Sequence, residues 1–189
     1  MSSVATNQIW NVPNVLSMIR LALALLVGLL IEWRYLAVGV VVFIVAASTD
    51  FVDGWWARRY GQITKLGRVL DPFVDKIIVT AALVALVSLP GSGWAAWMVT
   101  VIVGRELLVT TIRAMVEGQG GDFSAKWLGK WKMLLQCSAI VSSMLSLHLS
   151  SIYAWLAPVN IILIWLALLL TILSGIDYVV KAVRLSQLL

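Results

Sequence analysis

Charge is scarce in this chain. Only 12% of its 189 residues are charged and 61% are hydrophobic, with a mean hydropathy of +0.98. Soluble domains carry about twice that share of charge, so an ordinary water-soluble fold is excluded and an integral membrane protein is expected. Cysteine and histidine are scarcer still, with one of each, Cys137 and His148. A lone cysteine cannot close an internal disulfide, and a zinc site built from Cys and His is excluded. Cys137 sits among apolar residues, where a buried and inert thiol is expected. No basic segment precedes the first apolar run, which is therefore expected to stay as a membrane helix rather than leave as a signal peptide. Repeats, linkers and low-complexity tracts are also lacking, and the length suits a single domain, 1–189.

What the chain has in abundance is apolar sequence of spanning length. Six helices are predicted: Pro13–Ile31, Tyr35–Tyr60, Leu66–Leu89, Trp94–Glu117, Ala125–Leu149 and Ser151–Leu185. The fold class is thus all-α, a polytopic membrane protein with six transmembrane helices. The turn Pro90–Gly93 and the glycine-rich stretch after Glu117 mark loops. Tryptophans at predicted helix ends (Trp10, Trp33, Trp94, Trp97, Trp127, Trp131, Trp155) fit an interfacial belt.

Basic residues gather on one side, at Arg58, Arg59, Lys65 and Arg68, then Lys126, Lys130 and Lys132, then Lys181 and Arg184. The other side has only Arg34, balanced by Glu32, and His148. Both termini are therefore expected in the cytoplasm. A net charge of +5 then describes a basic cytoplasmic face suited to anionic headgroups or phosphorylated substrates. Nucleic acid is not an expected partner, because there is no soluble basic domain to hold it.

Against this background, four aspartates stand out. Asp50 and Asp53 lie 15 and 18 residues after Tyr35, and Asp75 and Asp71 lie 14 and 18 residues before Leu89. At about 1.5 Å per residue, both pairs fall roughly 21–27 Å from the outer surface, in the cytoplasmic third of the membrane. Each pair shares a helix face. An intramembrane carboxylate costs roughly 2.5–3.5 kcal/mol even on lenient scales, and four at one depth repel one another unless cations or protons neutralise them. All-oxygen ligands favour Mg²⁺ or Mn²⁺; one or two divalent ions would balance the charge, and two are expected. A divalent site under a basic surface suggests phosphate chemistry. The rival reading, a cation transporter, predicts acids spread along a path through the membrane, whereas these cluster at one level.

The full pattern is Asp50-x2-Asp53-Gly54-x2-Ala57-Arg58-x8-Gly67-x3-Asp71-x3-Asp75. At every fixed position it resembles the signature of the CDP-alcohol phosphatidyltransferase family. The resemblance implies that family's six-helix membrane fold, commonly a homodimer, with its site open to the cytoplasm of a bacterial cell. It also implies transfer of a phosphatidyl group from CDP-diacylglycerol with loss of CMP. Carried over by position, Asp50, Asp53 and Asp71 become metal ligands, and Asp75 a ligand or the general base. Gly54, Ala57, Arg58 and Gly67 become the positions that receive cytidine and pyrophosphate, with Asn14 on the first helix as a further contact.

Three other segments, Asn11–Arg20, Gly104–Arg113 and Gly129–Met133, resemble those of bacterial members whose acceptor is glycerol 3-phosphate. Met133 departs from that pattern, where a threonine is expected. A phosphorylated acceptor needs cations of its own. Arg105 and Arg113, two turns apart, and Lys126 and Lys130, at i,i+4, are the candidates for its phosphate. Phosphatidylglycerol, inositol phosphate and serine are the alternative acceptors. Asp177 and Lys181 are read as a structural i,i+4 pair, and His148 as a surface residue.

Overall fold

The computed structural model describes residues 12–60, 65–118, 127–149 and 151–186, with side chains described over 15–49, 73–74, 76–115, 129–149 and 151–183. Among the described residues the regular structure is entirely helical. The six helices are α1 (Val12–Glu32), α2 (Leu36–Tyr60), α3 (Lys65–Val87), α4 (Ala96–Gly118), α5 (Trp127–Leu149) and α6 (Leu156–Ser186). Three of them contain segments long and apolar enough to cross a membrane, Val15–Glu32, Gly129–Leu149 and Leu156–Val183, and Leu36–Thr49 and Lys76–Val87 are shorter apolar stretches. The chain is a helical membrane protein.

Contacts divide the chain into two compact units, Met1–Leu89 and Pro90–Leu189. In the first, α1 packs along both α3 and α2, and α2 also meets α3. The buried face of α1 is Ser17, Arg20, Ala24, Val27 and Ile31, a 3–4–3–4 spacing that forms one continuous seam. Leu25, Leu26 and Leu29 lie off that seam and are exposed, as expected of a helix apolar all round that faces lipid. Gly28 brings α1 close to α3, since a Cβ there would stand 3.9 Å from Ala81.

The end of α1 explains an unusual backbone. Tyr35 N–H donates to Leu30 O at 2.8 Å and Arg34 N–H to Ile31 O at 3.0 Å, the paired bonds of a Schellman cap. The position between them is left-handed and normally glycine; here it is Arg34, with φ of 61°.

In the second unit α6 packs against both α5 and α4. The Pro90–Gly93 turn is formed as expected, with Gly91 and Gly93 at φ of 86° and 83°. A polar knot anchors it. Asn160 Nδ2 donates to Ser92 O at 2.9 Å, and Trp94 Nε1 donates to Ser143 Oγ at 2.9 Å. Ser143 Oγ in turn lies 2.8 Å from Asn160 Oδ1. Trp94 is therefore a buried anchor and not a belt residue, while Trp33, Trp97, Trp131 and Trp155 are exposed. Trp10 and Trp127 lie outside the described side chains.

Most helix ends shift from expectation by one or two residues and the start of α6 by five, and two of these starts have a visible cause. Helix α6 starts at Leu156, after a turn, and not at Ser151. An earlier start would put Pro158 deep inside the helix, whereas the observed start keeps it in the first turn, where its missing N–H costs nothing. Helix α4 starts at Ala96 because Trp94 N–H is held by Ser92 Oγ at 3.2 Å.

Candidate active site

The acidic half is built on two neighbouring antiparallel helices. Asp50 and Asp53 fall within the continuous helix α2, and Asp71 and Asp75 within α3. Counted from the Tyr60 and Lys65 ends, Asp53 and Asp71 are each about 10 Å along their helices, and Asp50 and Asp75 about 15 Å. Along its own helix, each pair therefore stands at a matching distance from the α2–α3 connection. The side chains of Asp50, Asp53, Asp71, Asp75, Gly54, Ala57, Arg58, Gly67 and Asn14 lie outside the described residues, as does Lys126 altogether. As a donor set, four carboxylates are all hard oxygen and suit Mg²⁺ or Mn²⁺. Among the described residues no group of three His, Cys, Asp or Glu side chains gathers. Just before this level, Ser48 and Thr49 return their hydroxyl protons to Ile44 O and Val45 O at 2.7 and 2.8 Å, which satisfies them in an apolar setting.

The second unit holds a buried polar network that joins α4, α5 and α6. Arg105 Nη2 donates to Ser174 Oγ at 2.9 Å, and its Nη1 to Glu106 Oε1 at 3.2 Å. Lys132 Nζ donates to the same Glu106 oxygen. Arg113 Nη2 donates to the phenolic oxygen of Tyr178 at 3.1 Å. Next to these, Gln136 Nε2 donates to Thr171 Oγ1 at 3.0 Å. The Arg105 and Lys132 side chains are only 10% and 7% exposed, so these are desolvated cations and not snorkelling lysines or arginines.

Among the described residues this network gathers three cations, Arg105, Arg113 and Lys132, and one carboxylate, Glu106. Glu106 serves both Arg105 and Lys132, and among the described residues Arg113 has no acidic partner. The Nε groups of Arg105 and Arg113 are buried without a hydrogen-bond acceptor. Buried N–H donors of this kind are rare unless a ligand or water completes them. The arrangement can hold a small anion.

The expected site residues separate here. Arg105 and Arg113 share the network. Lys130 is exposed, about 200° around α5 from buried Lys132, and the structure does not bring it to them. Lys132, Ser174 and Tyr178 are the residues that pattern reading missed. A signal for Lys132 existed: Gln136 stands four residues on, giving a polar stripe along an otherwise apolar helix. Asp177 and Lys181 form the expected i,i+4 pair, His148 is exposed, and Cys137 is half-buried rather than fully enclosed.

An aspartate pattern on two helices of a membrane protein, and guanidinium groups buried inside another helix group, suit hard cations and an anionic substrate. Sequence comparison makes this specific. The family model for CDP-alcohol phosphatidyltransferase matches residues 10–173, and the chain belongs to that family. It is 34% identical to the CDP-diacylglycerol–glycerol-3-phosphate 3-phosphatidyltransferase of Bacillus subtilis (strain 168), over 91% of this chain and 95% of the relative. The probable phosphatidylglycerophosphate synthase of Mycobacterium tuberculosis (strain ATCC 25618 / H37Rv) is likewise 34% identical, over 94% and 84%. The CDP-diacylglycerol–glycerol-3-phosphate 3-phosphatidyltransferase of Shigella flexneri serotype 5b (strain 8401) is 31% identical, over 92% and 95%.

Proposed function

We propose that this chain transfers the phosphatidyl group of CDP-diacylglycerol to the 1-hydroxyl of sn-glycerol 3-phosphate, forming phosphatidylglycerophosphate and CMP. The observation that carries the choice of acceptor is the cationic surplus around Arg105 and Arg113 among the described residues: the near-dianionic phosphate monoester of glycerol 3-phosphate answers it better than the single carboxylate of serine or the singly charged phosphodiester of phosphatidylglycerol. The names of the relatives above support the same substrates.

Asp50, Asp53, Asp71 and Asp75 would hold two divalent ions, Mg²⁺ or Mn²⁺. When bound, the ions neutralise the pyrophosphate and stabilise charge on the departing phosphate. Gly54, Ala57 and Gly67 give the nucleotide close access to helix backbone, Arg58 supplies a guanidinium to the diphosphate, and Asn14 is a further contact for CDP-diacylglycerol. Arg105 and Arg113 bind and orient the acceptor phosphate, and Lys126 and Lys130 draw it in from the basic rim. Asp75 takes the proton of the acceptor 1-hydroxyl. The new bond joins that oxygen to the lipid-side phosphorus, and the bond from this phosphorus to the bridging oxygen breaks, so CMP leaves with the electron pair. Positioning and charge stabilisation supply most of the rate.

In this reading all six helices span the bacterial cytoplasmic membrane, the site opens to the cytoplasm, and residues 1–189 work as one domain within a homodimer. The span of the family match, 10–173, across both compact units supports the single functional domain. The test is CMP release from purified protein given CDP-diacylglycerol, Mg²⁺ and one acceptor at a time. Release with glycerol 3-phosphate is expected; release only with inositol phosphate, phosphatidylglycerol or serine would move the chain to another acceptor class.

A further inference from the structure

Arg105 and Arg113 leave α4 about 12 Å apart along its axis. Yet their guanidinium carbons lie 5.5 and 5.9 Å from the centroid of a single ring, that of Tyr178 on α6. The ring is buried, and its hydroxyl accepts from Arg113. One turn earlier on α6, Ser174 accepts from Arg105 and donates to Thr171 O at 3.0 Å. Between them, Gly175 leaves room for the Arg105 stem: a Cβ at that position would stand 3.0 Å from Arg105 Cγ and 3.8 Å from its Nε.

We propose that Tyr178 is a positioning residue, which with Ser174 and Gly175 forms a cradle on α6 that sets the two guanidiniums as a pair for the acceptor's phosphate monoester. The proposal rests on the reading of Arg105 and Arg113 as the acceptor site. Two guanidiniums gathered on one ring in a low-dielectric interior repel each other, and among the described residues of α4 Glu106 pairs with Arg105 alone. The negative face of an aromatic ring attracts both. The two hydroxyls occupy one N–H of each arginine, which fixes the planes of the guanidiniums while leaving other donors open, the buried Nε groups among them. A phosphate monoester supplies what is then missing, namely negative charge and several acceptor oxygens that a guanidinium can grip at two points. Tyr178 touches the arginines and not the substrate. Its position, like those of Ser174 and Gly175, lies just beyond the 10–173 stretch that the family model covers.

The test is steady-state CMP release by the purified full chain in lipid nanodiscs, with each substrate varied in turn. Tyr178→Leu is expected to raise KM for glycerol 3-phosphate by about ten-fold or more, leaving KM for CDP-diacylglycerol within about two-fold. Tyr178→Phe retains the ring and is expected within about three-fold of the native value, while Gly175→Ala displaces Arg105 and raises the acceptor KM by several-fold. An unchanged acceptor KM in Tyr178→Leu, or an equal rise for both substrates, overturns the proposal. Arg113→Ala separates the two readings. If it also leaves the acceptor KM unchanged, the acceptor-site assignment itself fails; if it raises that KM and Tyr178→Leu does not, only the cradle fails. Should Tyr178→Leu not fold, an unchanged acceptor KM in Gly175→Ala overturns the proposal equally.

Discussion

Lys132 on α5 and Arg105 on α4 donate to one and the same carboxylate oxygen, that of Glu106. This shared acceptor ties two helices together inside an apolar unit and pairs with both cations. Breaking a buried ion pair from one side costs about 3–5 kcal/mol, because the remaining charge stays desolvated. Glu106→Ala is therefore expected to lower stability by about 3 kcal/mol, measured as a drop of several degrees in the unfolding midpoint in detergent. A midpoint unchanged within one degree would mean that the pair contributes nothing.

The knot of Asn160, Ser143 and Trp94 should behave differently. Asn160 stands about 27 Å along α6 from Tyr178, so its role is to seat the Pro90–Gly93 turn. Asn160→Leu strands the Ser92 carbonyl and removes a partner of Ser143, at a cost of about 1–3 kcal/mol. The unfolding midpoint is expected to fall while both KM values stay unchanged.

Two backbone positions make opposite predictions. Gly93 is left-handed, and an added Cβ would meet Ile164 Cδ1 at 2.9 Å, so Gly93→Ala is expected to destabilise by about 1–2 kcal/mol or more. Arg34 occupies a left-handed cap that suits glycine, and Arg34→Gly is expected to be neutral or to stabilise by up to about 1 kcal/mol. Thermal unfolding of the two variants side by side checks the contrast.

The acidic half is tested by charge and by metal. Asp75→Asn is expected to abolish turnover while leaving CDP-diacylglycerol binding measurable, and near-native turnover would remove its role as base. Chelation with EDTA is expected to stop CMP release, and added Mg²⁺ or Mn²⁺ to restore it. Activity that survives exhaustive chelation would argue against the metal reading.

Much of the fold was legible because apolar run length and breakers fix helices in a membrane protein. The α5 C-terminus at Leu149 and the α2 C-terminus at Tyr60 coincide with the expected ends. The start of α6 was misjudged, although Pro158 carried the information: proline belongs to a first turn, not to a helix interior. For the acidic pattern, the structure supplies the continuous helices α2 and α3 on which spacing pairs Asp50 with Asp53 and Asp71 with Asp75, while their side chains lie outside the described residues. The guanidinium network was only half readable. Periodicity finds Arg105 and Arg113 on one helix, but Tyr178 and Ser174 come from 65 and 69 residues away, and single-helix spacing carries no information about such partners. Lys130 and Lys132 illustrate the same gap, since both lie in one basic cluster and only the packed helices distinguish the buried one.

The most direct measurement supplies the purified chain with CDP-diacylglycerol, Mg²⁺ and isotopically labelled sn-glycerol 3-phosphate, and follows label into the lipid fraction by mass spectrometry. The account predicts labelled phosphatidylglycerophosphate and an equal amount of CMP, with both lost in Arg113→Ala at low acceptor concentration. No label in lipid, alongside CMP release driven by inositol phosphate, phosphatidylglycerol or serine, would contradict it.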